Sequence, residues 1–246
     1  MPRFFVDGGQ VDGQRITITG SDVNHMKNVL RMRCGDTVSV SDGCGKDYFC
    51  RIDVMDKEKI LLHIENSWDS YVELPVKLYL FQGLPKGDKM ELIIQKAVEL
   101  GVYEIIPVIT SRTIVKLDPK KEDKKLARWQ MVCESAAKQS GRGIIPKVCS
   151  PVTFKKALKM AGELDAAVMP YERAHGMEAA RNLVQDMHGK KSIGILIGPE
   201  GGFDASEAEL AKESGIQTMT LGKRILRTET AGLAVLSIFM FELEED

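Results

Sequence analysis

Ile193-Gly-Ile-Leu-Ile-Gly-Pro-Glu-Gly-Gly202 and Gln217-Thr-Met-Thr-Leu-Gly-Lys-Arg-Ile-Leu-Arg-Thr-Glu-Thr230 decide the fold of this 246-residue chain. Each opens with a short apolar, β-type run and ends in a loop of glycine, charge and hydroxyls. Ile193 to Ile197 predicts a buried strand, and 217 to 221 predicts a second. A helix is expected after each loop. In an open α/β sheet, ligands bind in the crevice beyond the carboxyl ends of the strands. The glycines at 198, 201 and 202 let the backbone approach a ligand and adopt positive φ, and Pro199 stiffens the turn. Asp204 with Glu207 predicts a capping box on the helix that follows. The first loop is neither a G-x-G-x-x-G fingerprint nor a phosphate loop ending in Lys-Ser/Thr, and Gly83-Leu-Pro-Lys-Gly-Asp-Lys89 lacks phosphate-loop spacing as well.

Outward from this stretch, strand and helix patterns alternate back to residue 76. The pattern predicts strands at 76–81, 104–109 and 165–169. Asp88 and Glu91 are expected to cap an amphipathic helix whose buried face is Met90, Ile93, Ile94, Ala97 and Val98 and which stops at Gly101. Much of 120–140 should be one further helix. Such alternation implies a mostly parallel sheet covered on both faces. The final helix, 231–243, is apolar around much of its circumference and so needs burial on several sides. Residues 1 to about 70 read instead as β-rich: short strands at 3–6 and 15–19, a short helix from Ser21 to Arg31, then β-type runs at 37–41, 47–54 and 59–65. Strands at this spacing suggest a small barrel. The polar stretch from Trp68 to Pro75 is the expected boundary, giving domains 1–72 and 73–246.

The chain carries 34 Lys and Arg against 35 Asp and Glu, a formal net charge of −1. Any affinity for nucleic acid must therefore come from local patches. One such run is 116–147, where basic residues outnumber acidic ones. Arg3, Arg31 and Arg33 of the β-rich part, Arg142 in the flexible-looking Ser140-Gly-Arg-Gly143, and Arg173 in Pro170-Tyr-Glu-Arg173 are candidate RNA contacts. Solvated surface charge is the plain alternative for each. His25, among polar residues of the short helix, reads as a surface or capping residue. Five cysteines, an odd number without C-x-x-C spacing, fit reduced thiols of a cytoplasmic protein and no zinc or other metal site. The opening residues have no signal-peptide core, and no apolar run approaches the roughly 20 residues that span a bilayer.

Leu196-Ile-Gly-Pro-Glu-Gly-Gly202 with Leu221-Gly-Lys-Arg-Ile-Leu-Arg-Thr-Glu-Thr-Ala231 resembles the signature of the SPOUT RNA methyltransferases. The RsmE family, which methylates N3 of a uridine in small-subunit ribosomal RNA, is the closest match. The resemblance extends to Arg3-Phe-Phe5, His25 through Val29-Leu-Arg31, Lys89-Met-Glu91 through Gln95-Lys96, Glu99-Leu-Gly101 and Cys133-Glu134 through Gly141-Arg142. It implies a PUA-like RNA-binding domain followed by a SPOUT domain with a trefoil knot. It also implies S-adenosylmethionine as methyl donor, a homodimer, and a substrate within the small subunit, acting in ribosome biogenesis. The expected cofactor residues are Leu196, Ile197, Gly198, Pro199, Glu200, Gly201, Gly202, Leu221, Gly222, Ile225, Leu226, Thr228 and Thr230. Arg227 or Arg224 is expected to stabilise charge developing on the base carbonyls. Glu229 or Glu200, or a water one of them holds, could take the N3 proton. A helix-capping role for Glu229 and Thr230, and simple pairing of Arg227 with Glu229 or Glu200, are the structural alternatives. A SPOUT enzyme acting on ribose or tRNA, and a non-catalytic RNA-binding assembly factor, are the functional ones.

Overall fold

The computed structural model describes residues 1–115 and 119–245, the side chains of residues 119–121 excepted. The chain forms two compact units. The first comprises Met1–Glu73 together with Ala137–Ile145; the second comprises Leu74–Ala136 and Pro146–Asp246. The first unit thus takes in a later segment that a single boundary near residue 72 leaves out.

The first unit is a six-stranded sheet of β1 (Arg3–Phe5), β2 (Val11–Asp12), β3 (Arg15–Thr19), β4 (Thr37–Ser41), β5 (Lys46–Met55) and β6 (Lys59–Asp69). Its order is β1-β4-β5-β6-β3-β2, with β1 parallel to β4 and the other pairs antiparallel. Alternation sends Ile16, Ile18, Val38, Val40, Cys50, Ile52, Ile60 and Leu62 inward, where they pack with Phe4, Val23 and Met26. The expected short helix is present but brief: α1 (Ser21–Asn24) follows Gly20 rather than a serine cap and passes into a π-type turn over His25–Val29. Segment 137–145 is fixed within this unit by buried polar contacts. Ser41 Oγ donates to the Gly143 carbonyl at 2.9 Å, and the Gly143 amide donates to Glu73 at 2.8 Å. A Cβ on Gly143 would lie 2.2 Å from Ser70 Oγ, so only glycine fits there.

The second unit holds β7 (Lys77–Gly83), α2 (Lys89–Glu99), β8 (Val102–Ile109), α3 (Pro119–Ser140, all but its last turn), β9 (Lys147–Val148), β10 (Val152–Thr153) and α4 (Phe154–Gly162). These are followed by β11 (Ala166–Pro170), α5 (Met177–Gln185), β12 (Ser192–Ile197), α6 (Ala205–Glu213), β13 (Gln217–Met219) and α7 (Thr228–Leu243). The sheet runs β10-β8-β7-β12-β11-β13, with β9 also pairing with β8, and every pair is parallel. Parallel strands buried on both faces read as continuous apolar runs, as Leu78, Leu80, Ile105, Ile106, Val168, Ile193, Ile195 and Leu196 do. The adjacency of β12, β11 and β13 sets the three loops after them side by side at one sheet edge.

Two helices differ from their expected ends. At α2, Asp88 occupies the cap position without a side-chain cap hydrogen bond. Glu91 makes no capping box either, because it accepts two hydrogen bonds from Arg128 at 2.7 and 2.9 Å. Helix α7 starts at Thr228, three residues earlier than expected, and buries Gly232, Val235, Leu236, Phe239 and Leu243. It leaves Ile238 and Phe241 exposed. Among the described residues, no helix is long and apolar enough to cross a membrane.

Candidate functional site

A cleft opens where the loops after β11, β12 and β13 meet. It is lined by Pro170–Glu172, Ile197–Phe203, Thr220–Leu226, Thr228 and Ala231. Of the thirteen expected cofactor residues, the cleft brings together all but two. Leu196 is buried in the core instead. Thr230 is exposed and does not line the cleft, because the helix begins two residues before it.

The first loop is wedged from every side by its own protein. The capping box at Asp204 and Glu207 forms as the sequence predicts, fixing the start of α6. A Cβ on Gly198 would lie 2.9 Å from the Gly202 carbonyl carbon, and Gly202 takes φ +65°. Gly83, at the end of β7, packs against the loop from below: a Cβ there would sit 2.5 Å from the Pro199 nitrogen. Arg112 covers Gly201, donating to its carbonyl at 2.7 Å and to Asp204 at 3.2 Å. The Ser111 amide donates to Glu207 at 2.8 Å. A buried polar chain completes the support. Gln82 Nε2 donates to Thr228 Oγ1 at 2.9 Å, and Thr228 Oγ1 donates to the Gly198 carbonyl at 2.6 Å. The chain thus ties the end of β7 and the first turn of α7 to the loop between them.

The second loop is held far less. Lys223, Arg224, Ile225 and Arg227 are exposed, Ile225 by 86%. Among the described residues neither Arg224 nor Arg227 has an ion pair within 4.0 Å. Arg224 lines the cleft, while Arg227 is the residue that precedes α7. The pairing of Arg227 with Glu229 or Glu200 that the sequence allowed does not occur. Those carboxylates share Lys89 instead, whose Nζ lies 3.2 Å from Glu200 Oε1 and 3.3 Å from Glu229 Oε2. Both contacts are ion pairs without hydrogen-bond alignment, and the buried Glu229 Oε2 has no hydrogen-bond partner among the described residues. The contact with Glu200 holds the Lys89 ammonium above its usual range, against some desolvation and with Glu229 adding to it. Burial raises the Glu200 carboxyl, but hydrogen bonds from the Lys86 and Glu200 amides and the contact with Lys89 outweigh it and leave the group below the usual range.

Lys89, Gln82, Gly83 and Arg112 are the site residues that sequence reasoning missed. One signal for Lys89 was present. A cation at the first position of a helix runs against the helix dipole, so it asks for a carboxylate partner from elsewhere.

The candidate RNA contacts divide. Arg31 and Arg33 are exposed near the tip after the π-type turn, Arg31 at a positive φ of 54° and with Val29 and Leu30 exposed beside it. Arg173 is exposed as well. Arg3 is occupied: it pairs with Asp47 at 2.6 Å and lies over the Phe5 ring. Arg142 does not offer a guanidinium to solvent as its glycine-flanked setting suggested. It is 4% exposed and gives Glu73 hydrogen bonds at 2.5, 2.9 and 3.0 Å, a forked pairing that fixes segment 137–145. In the basic run, Lys116 and Asp118 lie outside the described residues, as do the side chains of Lys120 and Lys121. Lys138 pairs with Asp22 and Arg128 with Glu91.

Residues 72–240 match a family described as an RNA methyltransferase domain, and residues 18–65 match an RNA methyltransferase PUA domain. A full-length relative, Ribosomal RNA small subunit methyltransferase E of Bacillus subtilis (strain 168), is 37% identical over 99% of this chain and 98% of its own. The chain belongs to the RsmE family of RNA methyltransferases. A second family member, from Mesomycoplasma hyopneumoniae (strain 232), is 35% identical over 96% of this chain and 98% of its own. Among solved structures, the family enzyme from Neisseria gonorrhoeae bound to S-adenosyl methionine superposes with a TM-score of 0.85 at 38% identity. That alignment covers 98% of this chain and 97% of that one. The PUA-type β unit and the parallel SPOUT-type unit described above are the family's architecture.

Proposed function

We propose that this protein transfers a methyl group from S-adenosylmethionine to N3 of a uridine in small-subunit ribosomal RNA, in the cytoplasm and as a homodimer. The observation that carries this reading is the cleft. Its two glycine loops lie beyond the carboxyl ends of β12 and β13, parallel strands on either side of β11, within the residues that match the family, whose Neisseria member binds S-adenosyl methionine. The residues present fit that group. Gly202 and Gly222 leave open space beside the backbone, and Ile197, Leu221 and Leu226 give apolar lining. When bound, the cofactor supplies a sulfonium methyl that is already activated.

The chain's own part is orientation and charge. Uracil N3 carries a weakly acidic proton that must leave before or during attack. Arg224 and Arg227, which form no ion pair among the described residues, stabilise negative charge on the base carbonyls. Glu229, or a water it holds, accepts the proton; Glu200, bound by the Lys86 amide and by Lys89, is the poorer base. Aligning the reacting groups is worth on the order of 7–11 kcal/mol. The target uridine leaves its stack to enter the cleft, which favours looped or single-stranded RNA. Arg31, Arg33 and Arg173, exposed in their respective units, contact phosphates. The trefoil knot belongs to the same reading and rests on the family resemblance. The dimer is supported by Ala234, Ile238 and Phe241, which form a stripe at helical spacing on α7 whose last two members are exposed. A mass independent of concentration and equal to one chain, in analytical ultracentrifugation, would remove the dimer.

Methyl transfer from labelled S-adenosylmethionine to small ribosomal subunits lacking modifications, with the product nucleoside identified, tests the reaction. 3-Methyluridine at one position is the expected product. Label in ribose or in tRNA would move the substrate, and absence of both transfer and cofactor binding would leave only an RNA-binding protein.

A further inference from the structure

We infer that Lys89 is a positioning residue that closes the two cofactor loops on each other by sharing its ammonium between Glu200 and Glu229. The inference rests on the reading that the cleft holds S-adenosylmethionine. Glu200 belongs to the loop after β12, and Glu229 to the first turn of α7, which is the continuation of the loop after β13. Lys89 reaches both from a third element, the start of α2, at 3.2 and 3.3 Å. No direct bond between the two glutamates could replace it, since two carboxylates at this range repel. The neighbouring Lys86 amide donates to Glu200 at 3.0 Å, so the segment from Gly83 to Lys89 braces the first loop through backbone packing at one end and charge at the other.

The surroundings leave Lys89 as the neutralising group. The loop after β12 presents Glu200, β7 presents the neutral Gln82, and α2 presents Lys89. At the other end of α7, Glu242 meets His188, which lies just beyond α5. The arginines of the second loop, Arg224 and Arg227, do not pair with either glutamate. Lys89 therefore frees those arginines for the substrate while holding the glutamates together. Glu229, the proposed proton acceptor, is oriented by the same contact: its Oε2 is buried, and Lys89 is the cation beside it.

Calorimetric titration of the full-length protein with S-adenosylmethionine tests the assignment. Lys89→Met should weaken binding about five- to tenfold, since the uncompensated carboxylates push the loops apart. Lys89→Arg, which keeps the charge, should stay within about threefold of the parent. The double variant Lys89→Met/Glu229→Gln should recover at least roughly half of the lost binding free energy, because one carboxylate no longer opposes the other. A stem that acted only by packing would give no such recovery. Binding by Lys89→Met within about twofold of the parent, or no recovery in the double variant, would overturn the inference. A parent protein that binds no S-adenosylmethionine would instead overturn the cofactor reading itself, and the inference with it.

Discussion

Two of the three loops that form the cleft are treated in opposite ways. The loop Gly198–Gly202 is fixed at nearly every residue: Gly83 beneath it, Arg112 across it, Thr228 on its first carbonyl, and Lys86 and Lys89 on its glutamate. The loop Lys223–Arg227 carries three cations and an exposed isoleucine, with no ion pair to the two arginines among the described residues. A wall for a small ligand gains from being preformed, because ordering it on binding lowers affinity. A surface that meets a large anionic partner gains from unpaired charge, because the partner supplies the counter-charge. Under the proposed function, the first loop is a preformed wall for the cofactor, and the arginines of the second face the RNA.

The contrast can be broken hardest from below. Gly83→Ala places a Cβ 2.5 Å from the Pro199 nitrogen and 2.8 Å from the Gly198 carbonyl carbon. Backbone must move, so a destabilisation above roughly 3 kcal/mol is expected. Chemical denaturation should show it, together with loss of cofactor binding. A variant as stable as the parent would mean that the first loop is not wedged. Gln82→Ala removes the donor to Thr228 and to the Gly83 carbonyl. It should cost about 2–4 kcal/mol, from the cavity and from buried groups left without a partner.

Smaller effects sharpen the comparison. Arg112 is exposed by 42% and pairs with an equally exposed Asp204, so its ion pair adds little to stability. Its bond to the Gly201 carbonyl should matter more for the cofactor. Arg112→Ala should leave the melting temperature within about 2 °C while weakening S-adenosylmethionine about threefold. A larger loss of stability with unchanged binding would reverse that assignment. The hydrogen bonds that depress Glu200 give a pH signature of low amplitude. A carboxyl lowered in the folded state adds stability that is complete above its unfolded pKa, near 4.3, and is lost as pH falls through the lower folded value. Denaturation midpoints should therefore fall more steeply below about pH 4.3 in the parent than in Glu200→Gln.

Thiol chemistry is the mildest test, because it probes the frame rather than the site. Burial, then the Glu104 hydrogen bond, pushes the Cys149 thiol up to about 12, and burial does the same for Cys50. Cys34 and Cys44 are exposed and Cys133 is buried. A thiol reagent near neutral pH should label Cys34 and Cys44 promptly and the other three only on unfolding.

What was legible in the sequence follows the same division. Gly198 to Gly202, the capping box at Asp204 and the strand before them are local features, and local residues determine them. The order β12-β11-β13, which brings the loops together, is non-local, and no pattern in the sequence gives it. Arg142 shows the cost of reading locally. Its glycine neighbours suggest a free loop, yet its partner Glu73 lies 69 residues earlier in the chain. Leu196 was read as part of the ligand wall from its neighbours, but strand alternation turns it into the core. The cap at Asp88 failed for the corresponding reason: Glu91 found Arg128, 37 residues away, in place of the helix end.

The most direct measurement is the separation of binding from transfer in Arg227→Ala. Cofactor affinity is read by calorimetry, and the single-turnover rate of methyl transfer is read on unmodified small ribosomal subunits. The account predicts a rate lower by about a hundredfold, with S-adenosylmethionine affinity within about threefold of the parent. Unchanged transfer by the folded variant, or a loss of cofactor affinity as large as the loss of rate, would contradict it.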